Sequence, residues 1–260
     1  MITSVHNPHV QWVRRLQAHS KDRREQHACV VEGVRLAVEA LEAGWKGHQV
    51  FFASPLDPRG EAVVEGYAAT GSPVEEVSPA VMEAISETDT PQGLLVVVEQ
   101  RLLPLPASPT FLLILDGLRD PGNLGTVLRT AAAAGVQGLI LAPGCADAWS
   151  GKVLRAGMGA HFRLPIHAMG WPELRSVLKG RSGGLMVYLA DAGRGIAHTE
   201  ADFTSPLALI VGGEALGAGS EAMAMADETV HIPMPGGSES LNAAVAASIL
   251  LFEVVRQRGF

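Results

Sequence analysis

Cysteine is scarce. Cys29 and Cys145 are the two in 260 residues and lie far apart, so neither a disulfide framework nor a four-ligand zinc site is supported, and both are expected as buried, reduced thiols. No uninterrupted apolar run reaches membrane-spanning length, so no membrane partner is expected. The start, Met1-Ile2-Thr3-Ser4-Val5-His6, lacks the charged beginning and apolar stretch of a secretory signal, which predicts a cytoplasmic chain. Positive charge is short as well. The formal net charge of −7 argues against nonspecific coating of nucleic acid, because phosphate binding needs a local excess of Lys and Arg. Any such site must be a patch. One candidate gathers Arg14, Arg15, Lys21, Arg23 and Arg24, broken by a single acid, Asp22; a solvated helix end is the plain alternative.

Several motifs are missing too. There is no H-E-x-x-H and no cluster of His, Cys and carboxylate with ligand spacing, so no catalytic metal is expected. The absence of G-x-x-x-x-G-K-[ST] and of a G-x-S-x-G elbow removes most support for phosphate-loop and hydrolase readings. An ordinary nucleotide-binding α/β enzyme would place G-x-G-x-x-G after its first strand, and none follows.

What is present is a globular composition, 47% hydrophobic and 18% charged, long enough to bury a substantial core in two domains. In the N-terminal part, a helix is expected over 8–19 on the sparse stripe Val10, Val13, Leu16, then a strand at Cys29-Val30-Val31 and a helix over 33–43. A strand over 49–52, helical stretches near 61–69 and 78–85 and a strand over 94–98 complete a small α/β/α unit. Three prolines between Arg101 and Pro109 mark a linker. Beyond it, strands over 111–115, 138–142, 185–189 and 207–211 alternate with helices over 124–134, from about 151 and over 171–179, the rhythm of a parallel sheet covered by helices. The last helix, 241–257, carries Leu241, Val245, Ile249, Phe252 and Val255 at packing spacing. Its alanines, Ala243, Ala244, Ala246 and Ala247, suit the close approach of another helix, such as one from a second subunit.

The chemistry gathers at strand ends. Phe111-Leu112-Leu113-Ile114-Leu115-Asp116 has no polar break before Asp116, so it reads as a buried strand delivering Asp120-Pro121-Gly122-Asn123-Leu124-Gly125 to a sheet edge, where α/β proteins place ligands. Asn123 is suited to cap a helix starting at Leu124. Arg129 is the single cation of that helix, and its rigid donor fork matches phosphate oxygens; a plain surface arginine is the alternative. Leu207 to Val211 runs directly into Gly212-Gly213-Glu214, with Gly217 and Gly219 close behind, a loop whose bare backbone can lie against a flat adenine or a ribose. Thr229-Val230-His231-Ile232 reads as a short β segment ended by Pro233 and Pro235. Ser240 is a plausible N-cap for the last helix, whose start offers N–H groups and the Asn242 amide to a ribose.

These segments, in this order, resemble the motifs of the SpoU/TrmH family of RNA ribose methyltransferases in the SPOUT superfamily. The first is Asn123-x-Gly125-x-x-x-Arg129, the second Gly212-x-Glu214 with Gly217, and the third Ile232-Pro233-Met234 leading to Ser240-Leu241-Asn242; the likeness spans 111–258. Upstream, Asn7-Pro8, Val31-Glu32-Gly33 and Thr90-Pro91-Gln92-Gly93 are similar to the ribosomal-protein-like substrate domain of ribosomal-RNA members. The resemblance implies an α/β chain: a C-terminal SPOUT domain over 111–260, with a parallel sheet and a deep trefoil knot, preceded by a small α/β/α RNA-binding domain over 1–100 and a linker over 101–110. It implies S-adenosylmethionine as methyl donor and a homodimer with active sites at the subunit interface. RNA is the implied partner, large-subunit ribosomal RNA favoured over transfer RNA.

By the same resemblance, Gly212, Ile232 and Leu241 line the adenosyl pocket, with Gly213 and Met234 nearby, and Asn123, Arg129, Glu214 and Asn242 form the catalytic polar set. Because a guanidinium stays protonated, Arg129 fits an anchor for the target phosphate better than a base. Asn123 and Asn242 would align the ribose oxygen behind the methyl group. Glu214 would order the loop or Arg129, or face the sulfonium. Ala215 and Ala218-Gly219 depart from commoner family residues. Two alternatives stand beside ribosomal-RNA methylation: ribose methylation of transfer RNA, and a noncatalytic RNA-binding or ribosome-assembly protein using the basic N-terminal patch.

Overall fold

Asn7 and Pro8 start the first helix. The Asn7 side chain accepts from the His9 N–H at 2.8 Å, and proline occupies the first turn, where its missing N–H leaves no bond unmade. The computed structural model describes residues 1–179, 184–214 and 217–259. In it α1 (Pro8–Ala18) buries Val10, Val13 and Leu16, as their spacing predicts. A second short helix, α2 (Ser20–Gln26), follows where none was expected, and it corrects the basic patch. Arg23 is buried, donating to the carbonyls of Leu16 and of Gln17. Arg14, Arg15, Lys21 and Arg24 remain exposed, Lys21 lying 3.7 Å from Glu25.

The chain continues through β1 (Ala28–Glu32), α3 (Val34–Glu42), β2 (Gly47–Phe52), α4 (Pro58–Ala69), β3 (Val74–Glu76), α5 (Pro79–Ile85) and β4 (Leu94–Glu99). These strands form one sheet in the order β1-β4-β2-β3, with β4 antiparallel to both neighbours. Both faces are covered, so β4 is apolar from Leu94 to Val98: Leu94, Val96 and Val98 enter one core with Trp45 and Tyr67, and Leu95 and Val97 enter the other with Val13 and Phe51. β3 was not foreseen, because three residues, two of them glutamate, carry no readable period. Residues 100–110 run without helix or strand.

Next come β5 (Phe111–Asp116), α6 (Pro121–Ala133), β6 (Gly138–Leu141), α7 (Gly151–Gly157), β7 (Ile166–Ala168), α8 (Trp171–Lys179), β8 (Met186–Asp191) and β9 (Ile196–Ala197). β10 (Leu207–Gly212), α9 (Ser220–Met225), β11 (Glu228–His231) and α10 (Ala243–Arg258) complete the chain. The second sheet has the order β7-β6-β5-β10-β8-β11-β9, and every pairing in it is parallel. All its carboxyl ends therefore share one edge. β5 and β10 are buried along their whole length, which is why both read as unbroken apolar runs.

The chain divides into two compact units, residues 1–101 with 149–162 and residues 102–148 with 163–260. Residues 149–162, which chain order places with the C-terminal domain, pack with the first unit. There Phe162 meets the Trp45 ring edge-on at 5.1 Å, and Arg155 bonds Glu87 at 2.9 Å. Pairings that distant along the chain leave no periodic trace.

The last helix reverses the expected assignment of its faces. Ala243, Ala244 and Ala247 are buried within this chain, α10 packing on α6 and β10, while Leu241, Val245 and Phe252 form an exposed stripe. Small residues let two helices of one unit approach closely, so they mark an internal seam. Cys29 is buried as expected, but Cys145 is half-buried, its thiol donating to the Leu115 carbonyl; burial pushes its pKa up. Among the described residues no helix is long and apolar enough to cross a membrane.

Candidate active site

β5 and β10 end side by side, Asp116 opposite Gly212, at the edge where parallel sheets leave a crevice. The backbone there is too crowded for side chains. A Cβ on Gly212 would lie 2.4 Å from the Ala218 nitrogen, and one on Gly213 2.3 Å from the Gly117 carbonyl oxygen. Glycine lets the chain fold back: the Gly217 N–H donates to the Gly213 carbonyl at 3.2 Å, and the Gly219 N–H to Asp116 Oδ2 at 2.7 Å. Asp116, read from sequence only as a strand end, is thus the buried anchor of this turn. Ala215 and Leu216 lie outside the described residues.

Gly212, Gly213, Ile232, Met234 and Leu241 all line one cleft of about 270 Å³ at this edge. The ends of β8 and β11 supply further walls. Among its described lining residues the charged side chains are Asp191 and Glu214, both acidic, which suits a cationic ligand and disfavours a phosphate. Asp191 was not singled out from sequence. It sits at the end of β8, its Oδ1 accepting from the N–H groups of Gly193 and Arg194 at 3.0 Å each. A carboxylate closing a strand before a glycine was the available signal.

Three of the four polar residues meet in a line. Asn242, not Ser240, is the N-cap of α10: its Oδ1 accepts from the N–H groups of Ala244 at 2.9 Å and Val245 at 3.3 Å. That fixes the amide, so Asn242 Nδ2 points the other way and donates to Asn123 Oδ1 at 3.1 Å. Asn123 Nδ2 then donates to Glu214 Oε1 at 2.8 Å. The order is therefore set from both ends, by helix N–H groups on one side and a carboxylate on the other. Burial works against ionised Glu214, but the Asn123 amide and the backbone N–H groups of Glu214, Arg119 and Asp120 outweigh it and hold its pKa below the ordinary value.

Asn123 is not a cap, contrary to the sequence expectation. α6 begins at Pro121, and the Asp120 side chain caps it by accepting from the Asn123 N–H at 2.7 Å. A proline in the first turn and an aspartate before it outrank an asparagine further in. The Asn123 side chain is thereby freed for Glu214. Arg129 stands apart: it is exposed on α6, and among the described residues its guanidinium has no hydrogen bond or ion pair. Glu214 is engaged by Asn123 rather than by this arginine.

The pattern of the SpoU rRNA Methylase family matches residues 110–252, the segment that carries the cleft and the polar line. The chain belongs to this family. Residues 7–96 match a second pattern, the MRM3-like substrate binding domain. The chain is 32% identical to the 23S rRNA (guanosine(2553)-2'-O)-methyltransferase RlmP of Bacillus subtilis, over 97% of this chain and 98% of that one. It is 35% identical to the mitochondrial rRNA methyltransferase 3 of Homo sapiens, over 90% of this chain and 69% of that one. Among solved structures, an AdoMet-bound rRNA methyltransferase from Sinorhizobium meliloti superposes with a TM-score of 0.86 at 34% identity, covering 98% of this chain and 97% of its own. The SpoU methyltransferase AviRb from Streptomyces viridochromogenes, in complex with AdoMet, gives 0.88 at 28% identity, covering 97% and 99%.

The upstream motifs of this family member hold the start of α3. Glu32 is buried and accepts from the Thr88 hydroxyl at 2.6 Å and the Glu87 N–H at 3.0 Å, and Gln92 Oε1 accepts from the Val34 N–H at 2.9 Å. Gly33 takes a positive φ of 93° directly against Gln92, which a side chain would obstruct.

Proposed function

We propose that this protein transfers the methyl group of S-adenosylmethionine to a ribose 2′-hydroxyl in RNA, with large-subunit ribosomal RNA as its substrate. The observation that carries the reading is the hydrogen-bonded line Asn242–Asn123–Glu214, which ends on a carboxylate lining the glycine-walled cleft. The rRNA methyltransferases to which the chain is similar, and the AdoMet-bound structures that superpose on it, support both donor and substrate.

The cleft fits that donor. Gly212, Gly213 and Gly217 present bare backbone to the cleft, on which a flat adenine can lie, Ile232, Met234 and Leu241 offer apolar surface, and Asp191 and Glu214 complement a positive charge. Bound there, the sulfonium supplies an activated methyl group. The residues of the chain do the rest. Each amide of the pair keeps one N–H beyond those in the line, enough to hold a ribose oxygen in a fixed direction. Arg129, permanently charged and unpartnered among the described residues, grips the phosphate beside the target, and a phosphate oxygen or a water takes the hydroxyl proton.

A homodimer belongs to the same reading. The exposed stripe Leu241, Val245 and Phe252 begins at a residue of the cleft, so a second copy covering it would border the site. A trefoil knot in the second unit, which the resemblance to the SPOUT superfamily implies, belongs to it too. The cytoplasm, where thiols such as Cys29 and Cys145 stay reduced, is part of the same reading. Incubation with labelled S-adenosylmethionine and large-subunit rRNA tests the function: label is expected in ribose. Label in a base, or none in RNA, rejects it.

A further inference from the structure

A second cavity, of about 220 Å³, shares Gly213, Glu214 and Gly217 with the donor cleft and is otherwise walled by Asp116, Gly219 and the turns that follow β5 and β6. Those turns are nearly bare. Gly117 and Gly144 both have positive φ, of 68° and 90°, and a Cβ on Gly144 would already touch the Gly117 Cα at 3.5 Å. Among the described residues a Cβ on Gly117 or Gly217 would meet nothing within 4 Å, so no described atom crowds the wall at either. A slot bounded by backbone suits a planar ring better than a branched ligand.

Its polar lining has opposed character. Glu214 is already taken up by the Asn123 amide and by backbone N–H groups, including that of Arg119. Asp116 is only 9% exposed, and among the described residues its carboxylate receives one hydrogen bond, from Gly219 to Oδ2, leaving Oδ1 open. Arg119 is exposed, and its guanidinium has no partner among the described residues. The slot therefore presents one carboxylate oxygen with no hydrogen bond among the described residues and one free donor fork, beside the Glu214 end of the amide line.

We propose that this cavity takes the base of the target nucleotide, turned out of its stack, and selects guanine. The inference rests on the methyl-transfer reading above. Guanine alone among the four bases offers two adjacent N–H donors on one edge, for a carboxylate, and the O6/N7 acceptor pair on another, for an arginine. Adenine and cytosine turn an unprotonated ring nitrogen toward the carboxylate, and uracil has a single N–H. Asp116 accepts from the Watson–Crick edge of the base, and Arg119 donates to O6 and N7.

The test digests large-subunit rRNA, labelled by the purified protein and S-adenosylmethionine, to nucleosides. The expected labelled product is 2′-O-methylguanosine. A 2′-O-methylated adenosine, uridine or cytidine in its place overturns the base assignment and leaves ribose methylation standing, whereas unlabelled RNA overturns both. In parallel, Arg119→Ala should raise KM for rRNA about ten- to hundredfold while calorimetric affinity for S-adenosylmethionine is unchanged. Arg119→Lys should not restore KM, because an ammonium cannot make two parallel bonds. An unchanged KM in Arg119→Ala overturns the assignment.

Discussion

Asn242 Nδ2 donates to Asn123 Oδ1 across 119 positions of sequence, joining the first turn of α6 to the cap of α10. One side chain thus caps a helix and holds an amide of the proposed catalytic line, and the two roles can be separated. Asn242→Ala removes the cap, worth about 1 kcal/mol, and should lower the melting temperature by about 2–4 °C. Asn242→Asp keeps the cap but sets an acceptor against Asn123 Oδ1, and turning the Asn123 amide over would only move the conflict to Glu214. Thermal melts should find Asn242→Asp near wild type, and labelling assays should find transfer down about a hundredfold. Full activity in Asn242→Asp would remove the amide line from the mechanism.

Arg129 contributes nothing to the fold that the described contacts reveal, being exposed and unpartnered. Arg129→Ala should therefore melt with wild type and bind S-adenosylmethionine as before, while methyl transfer falls by about a hundredfold. Joint loss of donor binding and transfer would contradict its role as an RNA anchor.

At Gly213 the close approach to the Gly117 carbonyl leaves no room for a methyl group. Overpacking of this kind costs about 1–3 kcal/mol, and here it must displace the turn that walls the cleft. Calorimetry on Gly213→Ala should show donor affinity weakened roughly ten- to hundredfold. Unchanged affinity would place the donor elsewhere.

Phe252 is exposed in the middle of α10, in the stripe assigned to a second subunit. Sedimentation of the wild type should give twice the chain mass of 27.3 kDa. Phe252→Asp should give the single-chain mass and reduced transfer, since a charge at such a seam is left without a partner. A wild-type protein that sediments as one chain rejects the dimer.

Acid should act through Glu253, a buried carboxylate of α10. Hydrogen bonds from Arg256, at 2.7 and 2.8 Å, hold its pKa down to about 2, against the opposing effect of burial, with Gln257 assisting. A depressed folded pKa means that this stabilisation is complete above the ordinary value of 4.5 and fades as pH falls through about 2. Denaturant melts should show Glu253→Gln less stable than wild type near neutrality, by a gap that holds down to pH 4.5 and narrows below it. A gap independent of pH throughout would assign the loss to packing.

Where sequence reasoning failed, it failed over choices between equivalent local signals. Asp120 and Asn123 are both good caps, and so are Ser240 and Asn242; in the first pair the residue that does not cap reaches Glu214, and in the second the residue that caps reaches Asn123. The alanine face and the leucine–valine–phenylalanine face of α10 are both apolar, and only the presence of α6 decides which is buried. Arg23 shows the same limit, since a cation on a short helix reads as surface until two carbonyls of the preceding helix are found beside its guanidinium.

The sequence by itself determined the strands β5 and β10 and the glycines after β10. Burial on both faces enforces apolar runs, and backbone crowding enforces glycine. The tertiary structure alone decided that Asn123 and Asn242 touch, that Asp116 anchors the turn, and that residues 149–162 belong to the first unit. Local propensity acts within a few residues of the chain. Those contacts join positions a hundred or so apart, where the partner is set by the sheet order and the packing of whole helices, which no residue reports alone.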